Sequence, residues 1–145
     1  MQSCRQEDNM ELREETVRDL ISKATKMLEY SYVPYSHFHV GAALLAKNGT
    51  VYTGCNIENA AYGPSNCAER TAVFKAVSEG VKDFQAIAVV GGPDGKIKDF
   101  CPPCGVCRQV LAEFCSKDFL VILAKSQEEY KIFRLEELLP ESFSL

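Results

Sequence analysis

Two cysteine blocks, each at the head of a helical pattern, constrain this chain more than any other feature. Cys67 opens a stretch to Glu79 in which Ala68, Ala72 and Ala76 lie beside Val73 and Val77 on adjacent rows, and Gly80 stands where a C-terminal cap belongs. Pro103-Cys104-Gly105-Val106-Cys107 opens a second stretch, to Cys115, with Val110, Leu111 and Phe114 along one side. If these cysteines act together, the fold must aim two helix starts at one point.

The remaining elements follow from periodicity and punctuation. Val17, Leu20, Ile21, Ala24, Met27 and Leu28 recur at helical spacing and predict a first helix from about Glu14 to Tyr30, which Pro34 prevents from continuing. The apolar stretch Val40 to Ala46 meets Thr50 to Cys55 across Asn48-Gly49, a strong hairpin signal. Gln85 to Val90 reads as a buried strand bounded by Gly91-Gly92-Pro93, Phe119 to Ala124 as a fourth strand and Tyr130 to Arg134 as a fifth. The Lys125 to Glu129 connection is too short for a parallel crossover, so strands four and five are expected to be antiparallel. Leu135 to Leu139 forms a short closing helix before Pro140, and the order αββαβαββα implies a layered α/β domain.

With 145 residues the expectation is a single domain over 1–145. Sixteen Lys and Arg against twenty Asp and Glu give a net charge of −4 with no dense basic block, which disfavours a long nucleic-acid partner. Met1 to Asp8 lacks the apolar core of a signal peptide and no later run reaches bilayer-spanning length, so a cytoplasmic protein with no membrane partner is expected. Seven cysteines then read as reduced thiols for metal binding, catalysis or burial.

Three thiolates from Cys67, Cys104 and Cys107 leave a tetrahedral Zn²⁺ one position free for water, the mark of a catalytic site and not of a closed structural one. Helix N-termini favour the thiolate form, which suits ligation. Glu69, two residues past the first cysteine, can border the metal's open side without coordinating. A lone C-x-x-C also serves redox exchange or structural zinc, but Cys67-Ala68-Glu69 combined with Pro103-Cys104 through Cys107-Arg108 is far more specific and matches the signature of zinc deaminases. Cys101-Pro102-Pro103-Cys104 is a rival pair, although two prolines keep Cys101 outside the helix. Cys4, Cys55 and Cys115 read as a terminal thiol, a strand-end thiol and a small core residue, and His37 and His39 as loop or strand residues.

Four blocks resemble the small, free-nucleoside, zinc-dependent cytidine deaminase family along nearly the whole chain. They are Pro34 to Phe38 with Val40-Gly41-Ala42, Gly54 to Ala60, Cys67 to Ala72, and Pro103 to Gln109. The resemblance implies a three-layer α-β-α sandwich around a five-stranded mixed sheet, a homotetramer, and one Zn²⁺ per chain. It implies hydrolytic deamination of cytidine and deoxycytidine to uridine and deoxyuridine with release of ammonia, a step of pyrimidine salvage. It makes Glu69 the proton shuttle, gives Asn56 and Glu58 the ribose 3′-hydroxyl, and packs Phe38 on the pyrimidine. The Ala68 N–H would grip substrate, the Pro102 carbonyl would accept from the departing amine, Arg70 would donate to ligand sulfur, and Phe143 would reach a neighbouring subunit's pocket.

Read without the resemblance, Asn56 and Glu58 are turn chemistry, Phe38 is core, Arg70 is a solvated helix residue and Phe143 is tail. Two departures stand out: Pro102 occupies a position where the family usually has Ser or Thr, and Tyr62 to Asn66 is less typical. The rival functions are deamination of another cytosine-containing nucleoside or of a polynucleotide, a non-catalytic zinc-binding module, and a dithiol redox protein. A carboxylate at Glu58 would repel a continuing 3′-phosphate, and neither a structural zinc site nor a redox dithiol needs Glu69.

Overall fold

The computed structural model describes residues 12–145, so Cys4 and the Met1 to Asp8 stretch lie outside the described residues. In chain order the elements are α1 (Glu14–Lys26) with a 3₁₀ extension (Met27–Tyr30), β1 (Phe38–Ala46), β2 (Val51–Cys55), α2 (Ala68–Ser78), β3 (Phe84–Pro93), α3 (Gly105–Phe114), β4 (Leu120–Ala124), β5 (Tyr130–Arg134) and α4 (Leu135–Leu138). The sheet order is β2-β1-β3-β4-β5. β1 runs antiparallel to both β2 and β3, β3 and β4 are parallel, and β4 and β5 are antiparallel as the short connection requires.

Alternation along the central strands sorts their side chains onto two cores. Ala43, Leu45, Ala86, Ala88, Val90, Leu120 and Ile122 face α1, where Val17, Leu20, Ile21 and Ala24 are fully buried. Ala42, Leu44, Ile87, Val89, Val121 and Leu123 face the other way, toward Ala68, Ala72, Val73 and Ala76 of α2, Leu111 of α3 and Leu135 of α4. The result is the expected three layers, with helices on both faces of a five-stranded mixed sheet.

This topology places the site. β2 and β3 both oppose β1, so they run in the same direction, and each is followed by a helix packed on the same face. The starts of α2 and α3 therefore lie off the carboxyl ends of β2 and β3, where open α/β sheets bind ligands.

Most element ends shift by a residue or two from the sequence reading, and two of the differences have a clear cause. The last turn of the first helix, Met27–Tyr30, is 3₁₀, a common tightening at helix ends. Gly91-Gly92-Pro93, expected to bound the third strand, lies inside it, because these residues pair with Val40, His39 and Phe38 of β1. The glycines serve close approach: a Cβ at Gly91 would stand 2.9 Å from Cys101 Sγ, and one at Gly92 would stand 2.6 Å from the Lys96 carbonyl carbon.

Candidate active site

Cys67 caps the N-terminus of α2 in extended backbone, and Cys104 does the same for α3. Cys107, in the first turn of α3, is fully buried. Their sulfur atoms lie within 4.8 Å of one another, and the Cys67 and Cys104 sulfurs are 3.7 Å apart. A tetrahedral ion with metal–sulfur bonds of about 2.3 Å needs sulfurs about 3.8 Å apart, so this donor set fits Zn²⁺. Among the described residues no other His, Cys, Asp or Glu group of three converges in this way, and Cys101 is outside the cluster.

The surroundings favour thiolate. Hydrogen bonding from Cys107, Arg70 and Cys104, with the charge of the Arg70 guanidinium, holds Cys67 down at about 5 against the opposing effect of burial. Arg70 Nη2 donates to Cys67 Sγ at 3.2 Å, and the Cys107 N–H points at Cys104 Sγ at 3.5 Å. Cys107 itself is pushed up, first by its hydrogen bond to Cys67.

Glu69 is 4% exposed, and its Oε1 has no hydrogen-bond partner. Burial raises its carboxyl from 4.5 to about 7, assisted by the charge of Cys67. A buried carboxyl poised near neutrality beside a metal donor set is the profile of a general acid and base. It borders a cleft of about 530 Å³ that Cys67, Ala68, Arg70, Cys104, Pro102, Asn56 and Glu58 also line. A larger cleft, about 630 Å³, opens between α1 and the hairpin tip, but none of these residues lines it.

A model of the cytidine and deoxycytidylate deaminase zinc-binding region matches residues 14–123. The chain belongs to this family. It is 52% identical to a cytidine deaminase of Sporosarcina psychrophila over 88% of this chain and 91% of the relative. It is 53% identical to one of Halalkalibacterium halodurans, over 86% and 92%. Among solved structures, a cytidine deaminase from Burkholderia pseudomallei superimposes with a TM-score of 0.79 at 44% identity, covering 86% of this chain and 97% of that one. The family's zinc requirement and the three-cysteine cluster agree on one Zn²⁺ per chain.

Against that deaminase background, the other end of the cleft is built differently. Asn56 follows β2, and its carboxamide mimics a strand partner: Oδ1 accepts from the Val40 N–H at 2.9 Å and Nδ2 donates to the Phe38 carbonyl at 2.8 Å. Glu58 Oε1 accepts from the Tyr35 and Ser36 N–H groups, both at 3.1 Å. The Ser36 hydroxyl above all, with these N–H groups, holds Glu58 below the usual carboxylate range. Neither residue makes the local turn contacts that sequence alone suggests; both tie down distant backbone, on β1 and in the 34–38 loop, and each lines the cleft with hydrogen-bonding capacity left over.

The remaining candidates are placed unevenly. Ala68 is the first residue of α2, where a helix leaves its N–H without an internal acceptor. Pro102 is exposed at the cleft wall, and the Pro103 carbonyl beside it accepts from Arg108 Nε at 2.8 Å, while Arg108 Nη1 donates to the Leu138 carbonyl at 2.6 Å. Phe38 begins β1 opposite Pro93 and is 39% exposed, but it does not line the cleft of this chain. Phe143 is 70% exposed and lines a separate hollow with Ala112, Cys115 and Leu139.

Cys101, half-buried, lines the cleft as a neutral thiol, pushed up to about 11 mainly by burial. Cys55 and Cys115 are a buried strand-end thiol and a half-buried helix end. His39 Nδ1 lies 2.8 Å from the Leu28 carbonyl, and His37 sits at φ 59° in the loop before β1. Sequence reasoning missed Val40, Tyr62 and Asn66 as cleft residues. Tyr62 has φ 62°, a conformation that an aromatic residue rarely adopts and that no local pattern announces.

Proposed function

We propose that this chain is a cytoplasmic pyrimidine-salvage enzyme that hydrolyses cytidine and deoxycytidine to uridine and deoxyuridine, releasing ammonia. The single observation that carries the reading is Glu69: a buried carboxyl, unpartnered at Oε1, beside three converging thiols in a cleft of nucleoside scale. The cytidine deaminase names of relatives above half identity support the substrate. The intact Asn56 and Glu58 favour a free sugar over a continuing polynucleotide, because a carboxylate beside the 3′ position repels phosphate.

In this mechanism Cys67, Cys104 and Cys107 would hold Zn²⁺, whose chemistry when bound would be to supply a nucleophilic water near neutral pH. Glu69 takes a proton from the water that adds to C4 of the pyrimidine and delivers it to N3. It then carries the new hydroxyl proton to the exocyclic amine, which leaves as ammonia. Burial suits Glu69 to both directions of transfer, since a carboxyl near 7 gives and takes protons at little cost. The Arg70 guanidinium withdraws charge from Cys67 sulfur, the Ala68 N–H orients substrate, and the Pro102 carbonyl accepts from the departing amine. Asn56 and Glu58 bind the ribose 3′-hydroxyl with the groups the loop leaves free.

We place the active enzyme in a homotetramer of single-domain chains. Phe38 and Phe143 lie outside the cleft of one chain, which is consistent with an aromatic wall supplied when chains assemble: Phe38 against the base, Phe143 reaching into a neighbour. Among the described residues no helix is long and apolar enough to cross a membrane. Ammonia release with cytidine, deoxycytidine, cytosine and a short cytosine-containing oligonucleotide tests the substrate. Turnover of the two nucleosides alone is expected, and preference for the oligonucleotide would overturn the reading. Light scattering of the active protein should report four chains, and a fully active monomer would remove both the tetramer and the role of Phe143.

A further inference from the structure

Helix α2 is fastened to the end of β2 by its own side chains. Thr71 Oγ1 lies 3.0 Å from the Cys55 carbonyl oxygen and 3.2 Å from that of Cys67, and it accepts from Asn66 Nδ2 at 3.1 Å. A hydroxyl has one proton, so it donates to one carbonyl at a time while accepting from Asn66. The contact with Cys67, four residues back, is the ordinary local option in a helix; the contact with Cys55 joins two elements. One turn further on, Lys75 Nζ donates to the Thr53 carbonyl at 2.6 Å. Between these two anchors Gly54 makes room: a Cβ there would collide with the Ala68 carbonyl oxygen and stand 2.7 Å from the Ala72 nitrogen.

The residues joined in this way flank both halves of the cleft. Cys55 directly precedes Asn56, while Cys67 is a metal-donor residue two positions before Glu69. Asn66 adds a second tie, because its backbone exchanges hydrogen bonds with Ile57 at 2.8 and 2.9 Å. Thr71 does not itself line the cleft. We propose that Thr71, with Asn66 as its donor, is a positioning residue that fixes the span between the Asn56–Glu58 end and the Glu69 end. The inference rests on the nucleoside reading given above. A nucleoside touches both ends at once, so its binding depends on that span, whereas the chemistry at C4 depends on the metal end alone.

The test is a double-mutant cycle on uridine affinity, read by calorimetry alongside zinc content and the kcat and KM of cytidine. Thr71→Val keeps the shape and removes the hydroxyl; it should keep one zinc per chain and weaken uridine by about tenfold, the worth of one hydrogen bond. The loss should appear in KM more than in kcat, and Thr71→Ser should restore it. In a Glu58→Gln background the same substitution should cost much less, since the contact it positions is already impaired. Thr71→Ala provides the same cycle if Thr71→Val does not fold. Full additivity with Glu58→Gln, or a loss confined to kcat, would overturn the inference while cytidine turnover by the wild type still supports the function. A wild type inert toward cytidine would remove the function and this inference together.

Discussion

The cleft holds two glutamates in opposite circumstances. Glu69 is 4% exposed and its Oε1 meets no donor, whereas Glu58 is only half-buried and its Oε1 is shared by two backbone N–H groups. Burial lifts the first toward neutrality, and hydrogen bonds lower the second. A carboxyl kept costly and unpaired in the fold suits a reagent; one whose oxygen accepts from the 34–38 loop suits a brace. Substitutions at the two ends should therefore differ in kind, with chemistry lost at one and binding at the other.

Removing the donor set is the harshest way to probe that contrast. Cys67→Ala, Cys104→Ala and Cys107→Ala should each lose the metal and all turnover, while Cys101→Ala keeps one zinc per chain because its sulfur lies outside the cluster. Elemental analysis showing metal loss from Cys101→Ala would break the ligand assignment.

Glu69→Gln comes next and isolates the reagent from the scaffold. Fold, assembly and zinc should persist, since the amide is nearly isosteric and the carboxylate is not in the donor cluster. Turnover should fall by roughly 10² to 10⁴, the usual contribution of general acid–base catalysis. Near-normal turnover in zinc-replete protein would sink the mechanism.

The same residue sets a pH signature in metal-stripped, reduced protein. Its folded pKa is raised from 4.5 to about 7, so its contribution to stability is fully present below 4.5 and is lost as pH rises through about 7. The loss is on the order of 3 kcal/mol. Denaturant unfolding of wild type and Glu69→Gln across that window should show the difference narrowing at the acid end. A difference independent of pH would mean that Glu69 is not desolvated.

Glu58→Gln should have the mildest effect. The amide oxygen can still accept from Tyr35 and Ser36, so the loop should hold, and kcat/KM for cytidine should drop about tenfold through weaker sugar binding. A 3′-deoxy cytidine analogue performing as well as cytidine would show that the brace has no second duty.

What could be read from sequence follows the same division. The metal end was legible because its signals are local: cysteines and a proline at helix starts, Gly80 after α2, and a glutamate two residues past a cysteine. The Asn56–Glu58 end was legible as polar residues after a strand, but their partners on β1 and the 34–38 loop exist only once the sheet has formed. Gly91-Gly92-Pro93 misled for the same reason, since pairing with β1 outweighs the turn preference of those residues. Thr71 looked like any helical threonine, and its bond to Cys55 spans elements that no periodicity connects.

The Arg108 clamp bears on how this protein can vary. Its guanidinium grips two carbonyl oxygens, those of Pro103 and Leu138, and no side chain. Every amino acid supplies that oxygen, so replacing the residue at either position leaves the grip intact. Moving α4 relative to α3 would take the Leu138 oxygen out of reach and free one arm of the grip beside Cys104. Drift in side-chain identity is therefore tolerated at both anchor points, whereas a displacement of α4 would be felt beside the metal donors.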